Sequence, residues 1–142
     1  MFKWLKKNPR RSSTEADVCF ERASRHILAN CYDAAVVEFT RLIEIEPRSV
    51  RGYLGRADAR TLEAAEIVER YRASGGRQFE LTFEELNAPS GQSLHPPEKD
   101  KWWRLNERIM KLQYESKGDY QKALKLDPHN SHAREMLQSL SG

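Results

Sequence analysis

Apolar residues recur along this chain at intervals of three and four, the spacing that places them on one face of an α-helix. Phe20, Ala23 and Ile27 set the first stripe and predict a helix over roughly 15–29. Ser13 or Thr14 precedes it as an N-cap, with Glu15 and Asp17 in the first turn, where carboxylates complement the helix dipole. Asn30-Cys31-Tyr32-Asp33 breaks the pattern, and a second stripe runs through Ala35, Phe39, Leu42 and Ile43 to Ile45-Glu46-Pro47. Pro47 disfavours helix at the residue before it, so the second helix stops there and the two form an αα-hairpin.

Val50, Tyr53, Ala57, Ala64, Val68 and Tyr71 then hold one face without a turn signal. They predict a single helix of about 24 residues, closed by Ser74-Gly75-Gly76. From Arg77 to Asp100 the periodicity is lost among Pro89, Gly91, Pro96 and Pro97. This stretch reads as an inserted loop over about 74–99, with one capped turn at Thr82-x-x-Glu85. The helical stripe returns at Lys101 through Trp102, Leu105, Ile109 and Leu112, then Tyr120, Ala123 and Leu124, and ends at Leu126-Asp127-Pro128. Gly118 falls inside this helix, at a cost of about 1 kcal/mol relative to alanine. Ser131 caps a last short helix with Ala133, Leu137 and Leu140 on one face. The predicted class is all-α.

Two stretches carry a family resemblance. Tyr32-x-x-Ala35-x-x-x-Phe39-x-x-Leu42-Ile43-x-Ile45-x-Pro47 resembles the second half of a tetratricopeptide repeat (TPR), and Tyr120-x-x-Ala123-Leu124-x-Leu126-Asp127-Pro128-x-Asn130 resembles its close. Ala23, and Tyr53 with Ala57, fit the family's first-helix positions. In such a repeat Ala35 lets the paired helices approach and Phe39 fills the gap to the next hairpin. The resemblance covers roughly 16–60 and 101–140. It implies two TPR-like units and a C-terminal cap helix. Pro47 and Pro128 are 81 residues apart against a family period of 34, so the second unit carries a long insertion between its helices. It also implies a concave peptide-binding face on the first helix of each unit: Phe20, Ser24 and Ile27, then Arg51, Leu54, Asp58 and Thr61. Phe20, Ser24 and Leu54 stand near the places where one subfamily clamps a C-terminal carboxylate with Lys, Asn and Arg, so no such clamp is expected.

Length and charge refine this picture. The chain has 142 residues, one domain over 14–142 behind a tail of residues 1–13. Net charge is +3, but Lys3, Lys6, Lys7, Arg10 and Arg11 all precede the first acid, which leaves the remainder slightly acidic. Nucleic-acid binding by a global basic surface is therefore not expected. The tail's Phe2, Trp4, Lys6, Lys7, Arg10 and Arg11 lack the apolar core of a secretory signal. They read as a mobile or partner-docked tail, a mitochondrial-type presequence or a membrane-surface anchor. No uncharged apolar run approaches the roughly 18 residues of a spanning helix. Cys19 and Cys31, without CxxC spacing, read as buried thiols in a reducing compartment, the cytoplasm or alternatively the mitochondrion.

Chemistry-bearing patterns are few. His26, His95, His129 and His132 are scattered, and His129-x-x-His132 straddles a proline turn with no further ligand, so neither a metal nor another cofactor is expected. No GxSxG or phosphate-binding loop occurs, and Glu84-Glu85 are read as solvated. Trp102 and Trp103 point about 100° apart on a helix, so one core layer cannot bury both. With Val68 and Tyr71 they form a second expected partner surface, unless the two long helices bury all four against each other. The expected function is a non-catalytic adaptor or accessory subunit that binds a protein. The alternative is a peripheral membrane or organelle-targeted protein docking through its tail.

Overall fold

The computed structural model describes residues 14–76 and 97–141. Among them there is no strand. The chain forms α1 (Glu15–Leu28), α2 (Tyr32–Ile45), α3 (Val50–Ala73), α4 (Pro97–Leu126) and α5 (Ser131–Ser141). Each helix packs on the next in sequence, and α1 also touches α3. The basic tail, most of the expected insertion and the Thr82-x-x-Glu85 turn lie outside the described residues.

Local chemistry sets the helix ends. Thr14 Oγ1 accepts from the Asp17 amide at 3.1 Å, while the Thr14 amide donates back to Asp17 Oδ2 at 3.3 Å. This reciprocal box satisfies two donors that the first turn leaves open. Thr14→Ala is expected to lower stability by about 1 kcal/mol in urea denaturation.

α1 and α3 end in the same way. After α1, Asn30 adopts a left-handed φ of 58°, and the Cys31 and Asn30 amides donate to His26 O and Ile27 O at 2.8 and 3.0 Å. After α3, Gly75 has φ 81°, and the Gly76 and Gly75 amides donate to Tyr71 O and Arg72 O at 2.9 and 3.0 Å. Both are Schellman closures, and both need a residue that tolerates positive φ.

Two expected starts are corrected. α4 begins at Pro97, earlier than Lys101, because a proline costs nothing in a first turn whose amides have no intrahelical acceptor. α5 is capped by Asn130 rather than Ser131: Asn130 Oδ1 accepts from the Ala133 amide at 2.9 Å. Gly118 does lie within α4.

Small side chains hold the layers close. One buried cluster joins Ala16, Cys19 and Ala23 of α1 to Ala35, Phe39 and Leu42 of α2 and Ala59 of α3. A second joins Ala57, Tyr120, Ala123 and Ala133, with Val50, Leu54, Leu124, Met136, Leu137 and Leu140 packed against it. Phe39 is the large exception in the first cluster. Its ring fills the space over Gly55, where an added Cβ would come within 2.2 Å of ring carbons. Cys19 is buried, and burial pushes its thiol pKa up. Cys31 is exposed, against expectation, because it sits in the α1–α2 turn rather than on a packed face.

A charged cluster ties α2, α3 and α4 together. Asp119 accepts from Arg56 Nε and Nη2 at 2.8 Å each and from Arg60 Nη1 at 2.9 Å. Arg60 also reaches Glu115 at 3.0 Å, and Arg56 donates to Thr40 Oγ1 at 3.2 Å. The bidentate contact with Asp119 is the main reason the Arg56 pKa is raised. Beside it, the buried Ser116 hydroxyl lies 3.2 Å from Ala57 O, so α3 and α4 meet over small residues.

Candidate functional site

The residues of the expected inner face lie on α1 and α3, and most of their side chains are engaged within the chain. Phe20 meets Phe39 edge-on, with centroids 6.2 Å apart, and the Arg51 guanidinium lies 4.9 Å above the Phe20 ring. Arg51 Nη2 donates to Asp17 Oδ1 at 2.7 Å, and this bond, with Thr14 second, holds the Asp17 carboxyl below its usual range. The Ser24 and Thr61 hydroxyls donate to carbonyls of their own helices, Phe20 O and Ala57 O, both at 2.9 Å. Ile27 packs against the first cluster and Leu54 against the second. Asp58 accepts from the Tyr120 hydroxyl and lies 2.8 Å from His132 Nε2. Most polar groups of the proposed groove are thus occupied within the chain.

Asp58, Tyr120 and His132 superficially resemble a catalytic arrangement, but their geometry argues against one. Both Tyr120 and His132 address the same carboxylate oxygen, so the imidazole is not aimed at the phenol as a base. Desolvation first, then the Asp58 bond, pushes the Tyr120 pKa up, the wrong direction for a nucleophile. The contact instead joins α3, α4 and α5. The raised pKa has a consequence in base. The unfolded chain ionises this phenol from about pH 10 while the folded chain keeps it neutral, so stability is lost as pH rises past that value. Tyr120→Phe is expected to flatten that alkaline fall when denaturation midpoints are compared across pH.

The second expected surface is corrected. Tyr71 and Trp102 stack with centroids 5.2 Å apart at 29° and are only 6 % and 7 % exposed. They close the α3–α4 hairpin and are not offered to a partner. Val68 and Trp103 are half-buried. Trp103 Nε1 is shielded from solvent and has no hydrogen-bond partner among the described residues.

Exposed apolar surface lies elsewhere on α4. Met110 is 60 % and Tyr114 is 80 % exposed. They follow Trp103 by seven and eleven positions, so the three share one face. α5 covers only the C-terminal part of α4, around Tyr120, Ala123 and Leu124. Sequence periodicity missed this face because the stripe through Trp102, Leu105, Ile109 and Leu112 dominates the helix. A signal did exist: Met110 and Tyr114 are four apart and fall about 100–140° from Ile109. His132 was also missed, as a partner of Asp58 rather than a solvated cap.

Among the described residues no cluster of three potential metal ligands occurs, and no helix is long and apolar enough to cross a membrane. No protein-family model matches the chain, and no curated protein matches it.

Proposed function

We propose that this protein is a non-catalytic binding module of tetratricopeptide-repeat type, an adaptor or accessory subunit that holds a protein partner on helical surfaces. The observation that carries the reading is the outer face of α4, where Met110 and Tyr114 stand in solvent on a rigid helix. Large side chains fixed on a helix lose little entropy on docking and serve as interface anchors. Layered antiparallel helices and Phe39 seated between consecutive layers support the repeat assignment. Two free thiols, Cys19 and Cys31, favour the cytoplasm as its compartment.

The test is photo-crosslinking of the full chain in native extract. A benzophenone amino acid is placed in turn at Tyr114 and at Glu21 on α1, and adducts are identified by mass spectrometry. One defined protein, captured reproducibly from either site, is the expected result. No protein adduct from either position would overturn the reading.

A further inference from the structure

We infer that the outer face of α4 docks an acidic amphipathic helix of the partner, a proposal that rests on the binding-module reading above. Six cations of this helix, Lys101, Arg104, Lys111, Lys117, Lys122 and Lys125, form no ion pair among the described residues, against two such acids, Asp100 and Glu107. The other described charges of α4 are already used: Arg108 reaches Glu63 at 2.7 Å, while Glu115 and Asp119 serve the arginines of α3. A slightly acidic body therefore presents a locally basic helix.

The placement of the charges matters more than their number. Arg104, Lys111 and Lys122 are separated by whole pairs or triples of turns, so they form one line along α4. That line lies about 60–120° around the helix from the Met110–Tyr114 stripe. Gly118 sits between the two directions around the helix, toward the C-terminal end of this face, and a Cβ built there meets nothing within 4 Å. The surface is thus an apolar strip flanked by a basic ridge, with a shallow dip at Gly118. A helix with leucines along one face and carboxylates beside them complements both parts. From Arg104 to Lys122 the ridge spans about 27 Å, the length of roughly five helical turns.

Other classes of ligand fit less well. The ridge cations stand about 10–16 Å apart along the axis, sparse against a duplex bearing one phosphate charge per about 1.7 Å. Insertion into a lipid surface asks for a broad apolar face, whereas here two side chains project strongly.

The experiment uses the full chain and a fluorescently labelled synthetic peptide, helical, with leucines on one face and flanking glutamates. A second peptide has glutamines in place of the glutamates. Anisotropy is expected to show the glutamate peptide binding at least about tenfold tighter, with the difference shrinking as salt is raised. Lys111→Glu with Lys122→Glu should cost about tenfold in affinity, and Met110→Ser with Tyr114→Ser a similar factor. These residues are exposed, so unchanged thermal melts are expected and will separate lost binding from lost folding. Equal affinity for the two peptides, or indifference to the charge reversals, overturns the proposal. Phosphatidylserine-containing vesicles that bind through Lys111 and Tyr114 while the peptide does not would assign the face to lipid and also overturn it. If crosslinking captures a protein only from Glu21, the binding-module reading survives and this surface does not.

Discussion

Phe39→Ala is expected to destabilise the protein by about 3–5 kcal/mol, the cost of emptying a fully buried aromatic site. Phe39 is 2 % exposed and fills the layer boundary between α2 and α3. Its partner in that role is an absence, the missing side chain of Gly55. Adding a methyl there would place it 2.2 Å from the ring, so Gly55→Ala should cost about 1–3 kcal/mol despite alanine's better helix propensity. The two changes should not add. In a Phe39→Ala background the ring is gone, and Gly55→Ala should become neutral or stabilising by up to about 1 kcal/mol. Guanidinium denaturation of the four-member cycle reads the coupling directly. Additive losses would mean that this pair does not set the separation of the two helices.

The second large effect is expected at Asp119. Its side chain, 9 % exposed, receives three hydrogen bonds from Arg56 and Arg60. Asp119→Ala removes the counter-ion shared by two largely buried guanidinium groups and leaves Arg60 only Glu115, a loss of about 3–5 kcal/mol. The more exposed Arg108–Glu63 pair makes a useful contrast, since its arginine side chain is 60 % exposed. Glu63→Ala should change stability by no more than about 1 kcal/mol, because solvent already screens that pair. Urea denaturation midpoints of the two variants, measured side by side, test whether burial rather than distance ranks these bridges.

The helices and most of their ends were legible in the sequence because punctuation and periodicity agree there. Asn30, Pro47 and Gly75 are residues whose backbone preferences stop a helix, and the apolar spacing between them has one period. Phe39 was also legible as an inter-layer residue, although the glycine beneath it was not, since a helical glycine looks like a defect until its neighbour is seen. The charged cluster was hidden for a different reason. Arg56 and Asp119 are 63 positions apart, and a pattern search reads isolated charges as solvated. Only the antiparallel register of α3 on α4 brings them together. The same register pairs Tyr71 with Trp102, which turned an expected partner surface into the closure of a hairpin. Cys31 and the Asn130 cap show the limit at chain turns, where a shift of one residue exchanges an inward side chain for an outward one.

The unequal helix lengths bear on how copies of this chain could assemble. At 1.5 Å per residue α1, at one edge of the described layer series, is about 21 Å long, while at the other edge the 11-residue α5, about 17 Å, lies on an α4 of about 45 Å that it only partly covers. Open-ended growth of a fibre requires that the leading surface of one copy match the trailing surface of the next. An α1 laid against that edge would meet α5 along part of its length and the uncovered flank of α4 along the rest, and each junction would repeat the same misfit. The two edges are therefore poor complements, and the asymmetry opposes head-to-tail filaments without any charge or proline to block them.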